Sequence, residues 1–268
     1  MSKIPFDKYY TPSNLAQKVI DKTQRQFPEI TEFLEPSAGA GAFSSLLPGC
    51  LAFDILPEAE GITRQDFLSL QLPYKAGRCI IGNPPFGERN ALIVQFYKKA
   101  VSLGDYIAFI LPISQLNNQN QLYEFPLVYS APIPTMAYSG VELDCCLNLY
   151  QRDPEKLHSK PSYLLEDVEV GDCRRGGTDK SQVRFDYAFC AWGNGTMGRE
   201  VSYLGQYAFE IYLICKTEEV REKVVSLCKT TDWQSLVTNI SAKKIVQWQV
   251  LQYLKREIPE LRMKGEKK

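Results

Sequence analysis

The chain has 268 residues, 44% of them hydrophobic, which is material for about two average domains with their own cores and excludes a miniprotein or a disordered chain. Lys plus Arg is 31 and Asp plus Glu is 31, so the formal net charge is zero, unlike a histone-like or strongly basic nucleic-acid binder. A zero sum still permits patches of either sign. The eight cysteines, at 50, 79, 145, 146, 173, 190, 215 and 228, form no CxxC pair and no metal-ligand spacing, and His158 is the one histidine. The reading is therefore no metal site, and reduced thiols in an intracellular compartment. His158 sits in a polar loop and carries no catalytic expectation. The first residues lack the apolar core of a signal peptide, and no stretch approaches the roughly 18 apolar residues of a membrane span. That pattern predicts a soluble cytoplasmic protein, or a nuclear one in a host with a nucleus.

In chain order, a helix is expected over 13–26, opened by a Ser/Asn cap and carrying Leu15, Val19 and Ile20 on one face. Strands follow at 32–36, 50–55 and 78–82. A second helix over 90–103 places Leu92, Ile93, Phe96, Tyr97 and Ala100 at helical spacing, and strands recur at 106–111 and 143–150. This alternation predicts an α/β open sheet, parallel with crossover helices. The texture changes near residue 152, so two domains are expected, 1–151 and 152–268. The second holds a polar loop at 174–181, strands at 183–192 and 207–215, and helices at 218–228 and 241–255. The stripe Ile245, Trp248, Leu251, Leu254 marks that last helix as packed on the body.

The most specific motif is Ile-Ile-Gly-Asn-Pro-Pro-Phe-Gly over 80–87, an apolar strand that stops on an Asn and two prolines. Two prolines cannot continue a central strand, so the chain breaks at the carboxyl edge, where open α/β folds bind ligands. The Asn83 side-chain oxygen and a backbone carbonyl held by Pro84 and Pro85 can both accept from one exocyclic NH2 group. Phe86 offers a face to the ring that bears the amine. The bland alternative is a polyproline-type turn after a strand. A second motif, Phe-Leu-Glu-Pro-Ser-Ala-Gly-Ala-Gly-Ala-Phe over 33–43, runs a strand into a small-residue turn and then a helix. Its Gly39-x-Gly41 lacks the third glycine of a dinucleotide fingerprint, and Glu35 would repel a pyrophosphate and welcome a cationic group. Asp54 ends the next strand, where such folds bond a ribose diol, and Asp66-Phe67 sets a carboxylate beside an aromatic ring suited to an adenine amine. Residues 31–77 carry six acidic side chains against two basic ones, a balance suited to a sulfonium and ammonium ligand.

Taken in order, Asp-Lys-Tyr-Tyr-Thr-Pro at 7–12, the 34–43 turn, Phe-Asp-Ile at 53–55, Asp-Phe-Leu at 66–68 and Asn-Pro-Pro-Phe at 83–86 resemble the S-adenosylmethionine-dependent DNA adenine-N6 methyltransferases of the γ motif order. The resemblance covers roughly residues 6–150 and implies a Rossmann-like class I methyltransferase sheet with a small C-terminal β/α recognition region. It implies that Glu35 and the turn bearing Ser37, Gly39 and Gly41 hold the methionine part of S-adenosylmethionine, with Asp54 and Ile55 at the ribose and Asp66 and Phe67 at the adenine. Tyr10, Thr11 and Pro12 would close over the methionine end. Asn83, Pro84, Pro85 and Phe86 would hold a flipped target adenine, with Tyr138 as a second stacking face.

The expected partner is DNA, with a homodimer or partner subunit completing the grip, and no membrane. Arg174, Arg175, Lys180 and Arg184 are the candidate nucleic-acid contacts, a solvated loop being the rival reading. Residues 241–268 hold eight basic and three acidic side chains, a second candidate for gripping phosphates. Trp192 sits in a strand-ending turn with base insertion as the functional alternative. The runner-up activity is methylation of adenine N6 or guanine N2 in RNA, since Asn-Pro-Pro-Phe-Gly also suits those substrates, with protein-glutamine methylation more remote. A methyltransferase-like subunit that binds nucleic acid without turnover is the non-enzymatic alternative.

Overall fold

The computed structural model describes residues 10–133, 136–138, 141–160, 164–180, 182–193, 195–237 and 244–264, with backbone alone at 89, 136–138 and 141–142. Two compact units divide the chain, Met1–Pro161 and Ser162–Lys268. Residues just past 152 stay with the first unit because they are tied to it: the Arg152 guanidinium donates to the Val101 and Gly104 carbonyls, and the His158 N–H donates to the Glu124 carbonyl.

The first unit is an α/β open sheet. Its strands are β1 (Glu32–Glu35), β2 (Leu51–Asp54), β3 (Thr63–Arg64), β4 (Arg78–Gly82), β5 (Tyr106–Pro112) and β6 (Leu127–Pro132). A separate hairpin of β7 (Met136–Tyr138) and β8 (Val141–Leu143) follows, and β9 (Cys145–Gln151) then returns to the main sheet. The order is β3-β2-β1-β4-β5-β9-β6. Strands β1 to β5 pair in parallel, whereas β9 runs antiparallel to both β5 and β6. The expected sheet is parallel with crossover helices; β9 departs from it, entering between β5 and β6 from the β7-β8 hairpin with no crossover helix before it, and so runs antiparallel to both.

Side chains of the central strands alternate between two cores. Ile80, Ile107, Phe109 and Leu111 pack with Ile93, Phe96 and Tyr97 of α2 (Ala91–Val101). Cys79, Ile81, Ala108 and Ile110 pack with Ala16, Val19 and Ile20 of α1 (Ser13–Gln26). Because both faces are covered, β4 is buried at every position, and past Arg78 it reads as the apolar run Cys79-Ile80-Ile81-Gly82. The cap of α1 differs from expectation. Pro12 takes the N-cap position, no side chain caps it, and the Pro12 carbonyl accepts from Leu15 and Ala16 N–H, so Ser13 begins the helix rather than capping it.

The second unit has an antiparallel sheet of β10 (Val168–Arg174), β11 (Tyr187–Cys190) and β12 (Phe209–Cys215) in the order β10-β12-β11, with helices α3 (Glu218–Thr230) and α4 (Gln247–Glu257). Phe209, Ile211 and Leu213 of β12 pack with Val224, Cys228, Val250, Leu251 and Leu254 of the helices. The opposite face carries a smaller cluster of Ala188, Val201 and Tyr212. Among the described residues no helix is long and apolar enough to cross a membrane, and no group of three His, Cys, Asp or Glu could hold a metal ion. All eight cysteines are unbridged, and burial pushes the Cys145 and Cys228 thiols up to about 12.

At the amino end of the sheet, Glu32 of β1 faces Arg78 of β4 in register and accepts from Arg78 Nε and Lys75 Nζ. Burial alone would raise the Glu32 carboxyl, but the hydrogen bonds from Lys75 and Arg78 outweigh it and hold the group below its ordinary 4.5. Its stabilisation is therefore complete above about that pH and lost as pH falls through the folded value. Glu32→Ala leaves the nearly buried Arg78 guanidinium without its carboxylate and is expected to cost about 2–3 kcal/mol. The thermal midpoint by circular dichroism should fall by about 4–12 °C, with a flatter dependence on pH in the acid range.

Candidate functional site

The carboxyl ends of β1, β2 and β4 meet where the strand order reverses on either side of β1, the position at which open α/β sheets bind ligands. After β1 the chain turns through Gly39 (φ +54°) and Gly41 (φ +81°), left-handed conformations that favour glycine. Two buried carboxylates brace this turn. Glu35 Oε1 and Oε2 accept from the Phe43 and Ser44 N–H at 3.3 and 2.8 Å. Asp54 Oδ2 accepts from Gly39 N–H and Oδ1 from Leu56 N–H, both at 2.7 Å. Burial raises the Glu35 carboxyl, against the hydrogen bonds from Ser44 and Phe43 that lower it. The two residues expected to meet a ligand thus hold the loop that would receive it, and each carboxylate retains acceptor capacity beyond these bonds.

Gly82 ends β4 beside this turn. A Cβ there would lie 3.3 Å from Pro36 Cδ, so its absence lets the Asn-Pro-Pro segment draw close to the glycine turn. Ser37 Oγ donates to the Asn83 carbonyl at 3.3 Å, and Asn83 Nδ2 donates to Thr11 Oγ1 at 3.3 Å. The 10–12 segment is tied at two points: Thr11 to Asn83, and the Tyr10 hydroxyl to both oxygens of Glu58 at 2.8 and 3.0 Å. Glu58 is in turn anchored by its own N–H to the Gly39 carbonyl.

These elements line one cleft of about 1210 Å³. Of the expected site residues it gathers Tyr10, Thr11, Glu35, Ser37, Gly39, Gly41, Asp54, Ile55, Asp66, Phe67, Asn83 and Pro85. Pro12, Pro84 and Phe86 are not among its lining: Pro12 starts α1, Pro84 is buried, and Phe86 packs against both cores. Asp66 is exposed with Oδ1 on Leu68 N–H, while Phe67 is buried at 5.2 Å from the Phe96 ring, so it forms a floor rather than a free stacking face. Tyr138 belongs to β7, and the stacking expected of its ring lies outside the described side chains. Sequence reasoning missed Gln65, Glu88, Leu92 and Phe96 of the lining, and Glu58 behind Tyr10. Phe96 carried a signal only as part of a core stripe, and Glu58 only as one acid in a charge balance.

The lining carries four carboxylates, Glu35, Asp54, Asp66 and Glu88, and no Lys, Arg or His among the described residues. Such a cleft favours a cationic ligand and opposes a pyrophosphate, which needs cations or a helix N-terminus beside it. At the glycine turn itself the buried Glu35 carboxylate favours a sulfonium and ammonium ligand over a pyrophosphate, whereas an acid at a ribose, as Asp54 would be, is common to both kinds of cofactor.

In the second unit the expected nucleic-acid contacts do not form one cluster. The Arg174 guanidinium lies over the Phe209 ring and Lys180 Nζ over the Tyr212 ring. Phe209 and Tyr212 belong to opposite faces of β12, so the two cations part. Arg175 and Arg184 are exposed.

No family model matches the sequence, and no curated protein does either. Among solved structures the chain is similar to a protein of Pyrococcus horikoshii provisionally named an RNA methyltransferase, at 14% identity over 57% of this chain and 90% of that one, with a TM-score of 0.46. It is similar to a Thermoplasma acidophilum protein at 14% identity over 57% and 93%, TM-score 0.42. A third likeness is to magnesium protoporphyrin IX methyltransferase of Synechocystis PCC 6803 with bound SAM, at 11% identity over 53% and 79%, TM-score 0.36.

Asp54→Ala leaves the Gly39 and Leu56 N–H groups without their acceptor. The expected loss is about 2 kcal/mol, or about 4–8 °C in the thermal midpoint by calorimetry, with Asp54→Asn recovering part of it.

Proposed function

We propose that the chain is an S-adenosylmethionine-dependent DNA methyltransferase that modifies the N6 amine of adenine. The observation that carries this reading is that one acidic cleft is lined both by the braced glycine turn and by Asn83 and Pro85. At about 1210 Å³ it exceeds the roughly 300–1000 Å³ usual for a single small-molecule site, giving room for a cofactor and an extruded base.

When bound, S-adenosylmethionine supplies an electrophilic methyl group on a sulfonium, open to direct in-line attack by the amine. The chain's residues divide the remaining work. Asp54 would take the ribose with Ile55 beside it, Asp66 the adenine amine above the Phe67 floor, and the turn with Glu35, Ser37, Gly39 and Gly41 the methionine part. Tyr10 and Thr11 would cover that end, with Pro12 fixing where the covering segment enters α1. On the acceptor side, the Asn83 side-chain oxygen and a backbone carbonyl held by Pro84 and Pro85 would accept the two amine protons. That pulls the nitrogen toward sp3 character, frees its lone pair and aligns it. No base with a tuned pKa is required.

Thr11 gains a role that its place in the motif alone does not give it. By accepting from Asn83 Nδ2 it fixes the amide's orientation and turns Oδ1 away from itself. The target base must leave the duplex to reach this cleft. Arg174, Arg175, Lys180 and Arg184 remain the proposed nucleic-acid contacts, in two groups rather than one.

The test is incubation of the full chain with methyl-labelled S-adenosylmethionine and, in parallel, unmethylated DNA, total RNA and protein, followed by nucleoside analysis. N6-methyladenine in DNA is the expected product, and label found in RNA alone would overturn the DNA assignment. Asn83→Ala should lower kcat about 10²- to 10³-fold while cofactor affinity stays within about threefold. Thr11→Val should lower kcat about tenfold and Thr11→Ser should restore it, because the serine hydroxyl can accept the same bond.

A further inference from the structure

Within the second unit, Arg221, Lys223, Lys229, Arg256 and Arg262 each hold a carboxylate. Arg174 and Lys244, like Arg175, Lys180, Arg184, Arg199, Lys216 and Lys264, make no ion pair among the described residues, but these two share a ring. Lys244 Nζ stands 3.7 Å and the Arg174 guanidinium carbon 5.6 Å from the Phe209 centroid. Partial burial, and then the charge of Arg174, push the Lys244 ammonium below its ordinary value, so the two cations repel each other. The neighbouring acid, Asp172, is engaged at Oδ2 by Gln247 Nε2 at 3.1 Å. The Asp172 carboxylate offsets part of this repulsion, but two cations on one aromatic ring against a single carboxylate leave a net positive site that an external anion would relieve.

An exposed aromatic adjoins this pair. Lys244 pairs with Trp192 in an isolated antiparallel bridge, and Ile245 N–H donates to the Ala191 carbonyl. The Trp192 carbonyl is fixed by Thr196 Oγ1 at 2.9 Å and Cys190 Sγ at 3.1 Å, yet the residue is 50% exposed, against 2% for Trp233. A rigidly rooted, half-exposed indole beside two cations matches what unpaired nucleic acid requires: charge for the backbone and a ring for a base.

We infer that Arg174, Lys244 and Trp192 form one polynucleotide-contact surface, the two cations on backbone phosphates and the indole on an unpaired base. The choice of polynucleotide rests on the methyltransferase reading above; the cluster itself does not. It joins Arg174 to two residues outside the 174–184 loop and leaves Lys180 to the other face of the sheet.

The test uses the full chain and 5′-labelled single-stranded DNA, duplex DNA and RNA of one sequence, with binding read by fluorescence anisotropy over a salt series. Arg174→Ala and Lys244→Met should each weaken binding about tenfold and reduce the salt slope by about 0.9 on duplex or 0.7 on single strands. Methionine keeps an apolar stem on Phe209, so the melting temperature of that variant should not move. Trp192→Ala should weaken single-strand binding roughly 5- to 100-fold with the salt slope unchanged. Comparison of the DNA and RNA arms identifies the polynucleotide held more tightly. Wild-type affinity and slope in the Arg174→Ala/Lys244→Met double variant would overturn the inference, even with adenine methylation intact. Loss of binding in that variant supports it, even if no methyl transfer is ever detected.

Discussion

Two carboxylates folded onto one glycine turn are the constraint on which the first unit's site depends. A loop with left-handed residues at 39 and 41 exposes N–H groups that an ordinary helix start would leave to water. Glu35 and Asp54, almost fully buried, take three of them, from residues 39, 43 and 44, and Asp54 also accepts from Leu56 just past β2. The loop is thereby rigid before any ligand arrives, and it carries negative charge at the place where a dinucleotide-binding loop would present its N–H groups to phosphate. The acidic lining of the cleft follows from the same arrangement, and the preference for a cation follows from the lining.

The two ends of the sheet divide stability from reaction. At the amino end, Glu32, Lys75 and Arg78 form an ion-pair cluster with Arg78 nearly buried, a feature that fixes β1 against β4. At the carboxyl end the same two strands release the glycine turn and the Asn-Pro-Pro segment, and Gly82 lets them approach. Strand β4 therefore joins an ion-paired end to an open, acidic one. The short contact between Thr11 and Asn83 then ties the covering segment to the acceptor side.

Much of this was legible in the chain because it is written in periodic patterns and in residues with few conformational options. The helix expected over 13–26 is α1 over Ser13–Gln26, and the stop at Asn83-Pro-Pro follows from proline lacking an N–H. Other features arise only in three dimensions. Strand β10 went unread because Gly171 interrupts its pattern, and the reason for that glycine is distant in sequence: a Cβ would lie 2.1 Å from Tyr212 Cζ on β12. The Tyr10 to Glu58 bond spans 48 positions and leaves no local trace. Arg174 and Lys180 read as one basic loop, yet pleating sends them to rings on opposite faces. The net charge of zero likewise concealed an acidic cleft in one unit and, in the other, a cation pair that Asp172 only partly offsets.

The central claim, that the braced acidic turn selects a sulfonium ligand over a pyrophosphate, is tested most directly by isothermal titration of the chain with S-adenosylmethionine and, separately, with NAD+. Saturable one-to-one binding of S-adenosylmethionine with no heat from NAD+ is the predicted result. Binding of NAD+ without binding of S-adenosylmethionine would contradict it.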